Sequence, residues 1–134
     1  MTDKLFDDDD ELFGEPISVY TRQQAIEDGT LVDVSSVAKE AGFRYPVAVT
    51  RAVWAAIEDI PKDSGQDVQG RLWDILFMLN MEIHRRTAGK GPVIFYKIIM
   101  DRTTTHEKTL ELKAVIGPGD DPSPVITIML PEED

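Results

Sequence analysis

The residues best placed to do chemistry are carboxylates at the mouth of a turn. Asp120 and Asp121 stand together in Gly117-Pro118-Gly119-Asp120-Asp121-Pro122, and Asp101 closes an apolar run nearby in the chain. Three grouped carboxylates suit magnesium or calcium, which want several oxygen ligands, and would support a metal-assisted hydrolase or transferase. The competing reading is conformational: glycine for positive φ, aspartate for local hydrogen bonds and proline for fixed φ are the requirements of a tight polar turn. That reading takes precedence. The only histidines are His84 and His106, and a catalytic histidine needs a nucleophile and an orienting carboxylate within hydrogen-bond reach. No Gly-x-Ser-x-Gly elbow surrounds a serine, and no Walker or dinucleotide glycine pattern occurs. Cysteine is absent, which removes thiolate chemistry, disulfides and cysteine-bearing metal sites and suits a reducing cytoplasm. No cofactor is expected, and the balance tilts away from an enzyme.

Charge points instead to binding. Residues Met1–Glu15 hold seven acids against Lys4, Gly117–Asp134 hold five with no base, and these two ends account for the whole net charge of −11. The stretch between them is neutral. So acidic a chain disfavours direct nucleic-acid binding, which is driven by clustered Lys and Arg, and favours a basic protein partner. The first fifteen residues read as a flexible tail in which Asp7, Asp8, Asp9, Asp10 and Glu11 run unbroken between Leu5-Phe6 and Leu12-Phe13. Acidic and apolar residues alternating in this way make short interaction segments, although a solvated, solubilising tail has the same composition. No stretch approaches the roughly 20 apolar residues of a membrane span, and the acidic start does not read as a signal peptide. A protein of the bacterial cytoplasm is expected.

The elements that must position these groups follow from periodicity. Residues 16–134 are expected to form one domain. Thr21 with Gln24 has the form of a capping box for a helix ending at Asp28-Gly29. Leu31–Val34 reads as extended, and Ser35 or Ser36 is expected to cap a short helix that stops at Gly42. Val49, Ala52, Val53, Ala56, Ile57 and Ile60 make one continuous helical face, with Thr50 as cap and a first turn that could begin at Val47. Trp54 lies roughly 60° to one side of that face.

A second, longer helix is predicted over about Asp67–Arg86, with Val68, Leu72, Ile75, Leu76, Leu79 and Ile83 as one stripe. Trp73, Phe77, Met81 and His84 occupy the other side. A helix apolar nearly all round is usually buried on both sides, which predicts a central helix. The alternative is that Trp73, Phe77 and Trp54 form an exposed patch for a partner or for a homodimer. The last third, Val93–Met100, Thr109–Ile116 and Val125–Leu130, reads as three strands joined by polar turns. The predicted class is therefore α+β, N-terminal helices packed on a three-stranded antiparallel meander.

The stretches Pro16-Ile17-Ser18-Val19-Tyr20-Thr21-Arg22-Gln23-Gln24-Ala25-Ile26, Asp28-Gly29 with Leu31-Val32-Asp33-Val34-Ser35, Ala41-Gly42-Phe43, Pro46-Val47-Ala48-Val49-Thr50, Gly117-Pro118-Gly119-Asp120 and Pro124-Val125-Ile126-Thr127-Ile128-Met129-Leu130-Pro131 stand out as longer motifs. Together they resemble a family of small uncharacterised proteins from bacteriophages, plasmids and other mobile elements. The resemblance covers nearly everything from Pro16 onward and brings no established activity. It implies a setting in which accessory proteins counter host defence or tune element maintenance. The expectation is a non-catalytic binder that engages a basic host or element protein through the acidic tail, Asp120, Asp121 and the aromatics Trp54, Trp73 and Phe77.

Overall fold

A computed structural model describes residues 20–62, 64–85, 91–102 and 107–134, with 101, 102 and 107 described by their backbone alone. The acidic run Asp7–Glu11 and His106 lie outside the described residues. Nine elements follow in order: α1 (Arg22–Asp28), β1 (Leu31–Asp33), α2 (Ser35–Glu40), β2 (Val47–Thr50), α3 (Arg51–Glu58), α4 (Val68–Arg85), β3 (Val93–Arg102), β4 (Glu107–Pro118) and β5 (Pro124–Met129). The class is α+β. The sheet is not a three-stranded antiparallel meander, however: five strands stand in the order β1-β2-β5-β4-β3. β2 runs parallel to β5, and every other pair is antiparallel.

The correction comes from β1, read as extended but not as part of the sheet, and from Val47–Thr50, where the sequence puts a helix cap at Thr50 and allows a first turn from Val47. Val47, Ala48 and Val49 are each at most 1% exposed. A strand buried on both faces shows no alternation, and its shortness leaves Val49 free to coincide with the helical stripe that follows. Thr50 does cap that helix, its Oγ1 accepting from Val53 N at 3.3 Å. The box at Thr21 forms in full, with Thr21 Oγ1 accepting from Gln24 N and Gln24 Oε1 accepting from Thr21 N. Ser35 does not cap the helix it begins. Its hydroxyl accepts from Val47 N at 3.0 Å and lies 2.6 Å from Asp33 Oδ1, so it stitches α2 to the incoming strand β2.

One face of the sheet carries the core. Val47, Val49, Ile94, Ile98, Leu112, Ala114, Ile126 and Ile128 turn toward α3 and α4, which present Val53, Ile57, Leu72, Ile75, Leu76 and Leu79 to them. α4 lies over β3, the strand at the sheet's end. On the other face α1 packs on β1, and Arg22 reaches across to Thr127 Oγ1 (2.6 Å) and Ile126 O (2.9 Å). The C-terminal residues are tied to the same face, Glu133 Oε1 accepting from Thr50 Oγ1 at 2.7 Å. Among the described residues no element covers the outer side of β3, where Phe95 is 62% and Ile99 43% exposed.

Candidate functional site: the groove between α4 and the edge of β3

α4 starts where Asp67 Oδ1 accepts from Gly70 N at 2.6 Å, and a Cβ at Gly70 would stand only 2.9 Å from that oxygen. Its angle is then set by Arg71, 4% exposed inside the core. Arg71 Nη1 donates to the carbonyls of Asp59 (2.9 Å), Ala56 (3.2 Å) and Ile57 (3.3 Å), and Nε donates to Gln66 Oε1 at 2.8 Å. A cation here meets the carbonyls left without partners by the end of α3, where the helix dipole is negative. Asn80 Nδ2 fixes the middle of the helix to Ala41 O at 2.8 Å, beside Gly42, whose φ of 100° suits glycine. Tyr96 Oη donates to Ile75 O at 3.3 Å and ties the helix to β3. Burial pushes that phenol's pKa up, so it remains a donor.

Held in this way, α4 buries only one of its two apolar sides. Trp73 is 39% exposed, Phe77 49%, Met78 38% and Met81 49%. The expectation of a central helix buried all round is therefore corrected, because the sheet ends at β3 and no element packs on the far side of the helix among the described residues. Trp73, Phe77 and Met81 are spaced by four, so they make one ridge along the helix. Trp54 is apart from this ridge: it is partly buried against the core on α3.

Two clefts run along the seam between α4 and β3. One, of about 400 Å³, is lined by Asp74, Phe77, Met78, Lys97, Ile99 and Thr109 among others. The other, of about 900 Å³, opens at the start of α4 between Glu40, Asp67, Asp74, Trp73 and Ile99, with Arg71 in its wall. Asp74 and Ile99 belong to both, so the two are one groove. Among the described residues that line the wide end the exposed charges are acidic, since the cation among them, Arg71, is buried and spent on α3.

The strand beside the groove has an unpaired edge. Ile116 N donates to Pro92 O at 2.9 Å, and Val93 pairs with Val115, Phe95 with Lys113, Lys97 with Glu111 and Ile99 with Thr109. In an antiparallel ladder hydrogen-bonded pairs alternate with non-bonded ones. Pro92–Ile116 is a bonded pair, so Ile94, Tyr96 and Ile98 bond to β4, while Val93, Phe95, Lys97 and Ile99 turn their N–H and C=O groups outward. Among the described residues no strand takes them up. A register shift between Ile99 and Asp101 ends the regular edge.

The turn carboxylates have other work. Asp120 accepts from Arg22 N at 2.7 Å through one oxygen and from Gln23 N at 3.0 Å through the other, capping α1 from a distant turn. Asp121 Oδ1 accepts from Ser123 N at 2.8 Å within that turn. Arg22 lies beside them with its pKa drawn down by burial, while Asp33 and Asp120 pull the other way. Asp101 stands opposite Lys108, at the other end of β4 from Pro118, where the Asp120 turn begins. At about 3.3 Å per strand residue, the length of β4 separates the two places by roughly 33 Å. The fold therefore does not bring Asp101 to Asp120 and Asp121, and no group of three metal-ligating side chains occurs among the described residues. His84 Nδ1 lies 2.8 Å from Asn80 O on the exposed last turns of α4.

The edge of β3 and the acids Glu40, Asp67 and Asp74 are the site residues that sequence reasoning missed. Only the fold makes them neighbours: Glu40 ends α2, and β2 and α3 intervene in the chain before Asp67. No described helix is long and apolar enough to cross a membrane. Neither a curated protein nor a solved structure matches the chain. Residues 11–134 match the model of a family of unknown function, DUF6573, and the chain belongs to that family.

Proposed function

We propose that the chain is a non-catalytic binding protein whose working surface is the ridge of α4 and the groove beside β3. The observation that carries this reading is the side-by-side exposure of Trp73, Phe77, Met78 and Met81 on a helix whose other face is buried from Leu72 to Leu79. Large apolar side chains grouped on a surface are unfavourable unless a partner covers them, and aromatic side chains are the usual anchors of such contacts. The net charge of −11 favours a basic partner. The acidic run Asp7–Glu11 would act by long-range attraction, which salt screens, whereas contact at α4 would persist in salt. The sequence resemblance extends the proposal to an accessory protein of a phage, plasmid or other mobile element that acts on a host or element protein, in anti-defence or regulation.

The test is affinity capture from a bacterial lysate at low and at high salt, with the full chain, a Trp73→Ser/Phe77→Ser double variant and a chain lacking residues 1–15. A specific basic protein should be retained by the full chain and lost with the double variant. Deleting the tail should weaken capture mainly at low salt. Capture unaffected by the double variant would refute α4 as the working surface.

A further inference from the structure

We infer that the groove takes an extended segment of the partner, which adds to the sheet as a sixth strand on the edge of β3, with a Lys or Arg side chain entering the cleft among Glu40, Asp67 and Asp74. The inference rests on the proposal that the α4–β3 face is the binding surface, and it specifies how that face binds and what it selects.

Three observations carry it. First, the outward N–H and C=O groups of Val93, Phe95, Lys97 and Ile99 form a row about 20 Å long by strand geometry, long enough for about six residues of an added strand. Main-chain bonds along such a row supply affinity without regard to side chains. Second, side chains of the added strand alternate between the faces. Those level with Ile94, Tyr96 and Ile98 would turn toward α4, into the cleft walled by Phe77, Met78 and Ile98. This selects large apolar residues at every second position. Third, the groove widens past Ile99 into a cleft with three exposed carboxylates, Glu40, Asp67 and Asp74, and one buried guanidinium already bonded to main-chain carbonyls. That charge selects a cationic side chain at the end of the segment that lies there.

The same geometry decides against a second copy of this chain as the occupant. Joining β3 to its symmetry mate would set the two strands about 4.8 Å apart, while packed helices stand about 8–10 Å apart. Each α4 lies over its own β3, so the two helices would collide. The acidic N-terminal segment of this chain is a poor occupant too, because its charge has the same sign as the cleft. A strand without a helix above it, carrying basic and apolar residues, meets both conditions.

The test is selection of displayed random decapeptides on the full-length protein, followed by titration of the best synthetic peptide. Selected peptides should alternate large apolar residues and carry Lys or Arg near one end. Binding should slow amide exchange at Phe95, Lys97 and Ile99 at least tenfold while leaving Ile94, Tyr96 and Ile98 unchanged. N-methylation of the peptide amides that face β3 should lower affinity at least tenfold, and so should Lys97→Pro, which removes an outward donor and no ladder bond. Asp74→Asn combined with Glu40→Gln should weaken the peptide severalfold and remove the preference for Lys or Arg. Peptides that bind with unchanged affinity after N-methylation, yet lose it with Trp73→Ser/Phe77→Ser, would overturn strand addition and leave the α4 surface standing. Peptides indifferent to both changes would overturn the two readings together, and so would a selection that yields no binder. Dimerisation abolished by Lys97→Pro would overturn the choice of occupant.

Discussion

Arg71 is expected to hold α3 and α4 together, and its replacement should cost more stability than that of any other charged residue described. Of its three carbonyl acceptors, Ile57 O is buried and the other two are partly buried. Orphaning a buried acceptor costs about 1–3 kcal/mol, and partly buried ones recover part of that from water. Loss of a cation at a helix C-terminus adds about 0.5–2 kcal/mol. Arg71→Ala should therefore destabilise the protein by about 3–4 kcal/mol, with a cavity included. Arg71→Met keeps the packing of the stem and should cost about 2–3 kcal/mol. Arg71→Lys keeps the charge but loses the planar fork and should cost about 1–2 kcal/mol. Urea unfolding reads this directly: with a slope on the order of 1.5 kcal/mol per M, the alanine variant's midpoint should fall by about 2 M. If the urea midpoint of Arg71→Met matched that of the parent, the carbonyls would not depend on the guanidinium. Full stability of Arg71→Lys would show that charge alone suffices.

Other expectations concern the joints of the fold. Ser35→Ala leaves Val47 N–H without its acceptor in a buried strand and should cost about 1–3 kcal/mol, measurable by thermal or urea unfolding; no loss would mean that the stitch between α2 and β2 is dispensable. Asp120→Ala removes the acceptors of Arg22 N and Gln23 N at the start of α1 and should cost about 0.5–2 kcal/mol, with faster amide exchange at Arg22 and Gln23 than elsewhere. Asp28 accepts from Tyr20 Oη and Thr30 N, and these bonds hold its carboxyl below the usual aspartate pKa. A group depressed on folding stabilises above its unfolded pKa, so this contribution should be complete at neutral pH and be lost as pH falls below about 4. Tyr20→Phe should flatten that acid dependence in urea midpoints measured from neutral to acid pH, and an unchanged slope would refute the assignment. Gly42→Ala places a Cβ 3.2 Å from Asn80 Nδ2 at positive φ and should cost about 1–2 kcal/mol in the same assay.

The capping chemistry was legible because it is local. Thr21 with Gln24, and Thr50 ahead of Val53, announce helix starts within a single turn, and the structure uses both as written. β3, β4 and β5 were legible from β-branched and apolar runs. β2 was not, because so short a strand, buried on both faces, has no period of its own, and its partner β5 is the last strand of the chain. The role of Asp120 was hidden for a similar reason: a turn that needs aspartate locally gives no sign that its side chain also caps a helix 98 positions away. The exposure of Trp73 and Phe77 turns on where the sheet stops. Periodicity shows two apolar sides on α4, but only strand order tells which side has a neighbour.

The single parallel pairing, β2 with β5, fixes the order in which the chain can assemble. During synthesis β2 emerges before α3, α4, β3 and β4, and the strand that completes it comes after them all, so α1 through α4 must wait with one flank of the sheet unformed. The last strand, Pro124–Met129, lies between the two halves of the sheet and locks both. Contacts this distant in sequence are slow to form, because the loop must close before any bond rewards it. Folding should therefore wait for β5 and be all-or-none, and a nascent chain stalled before Pro124 should remain sensitive to protease while one from which β5 has fully emerged becomes resistant.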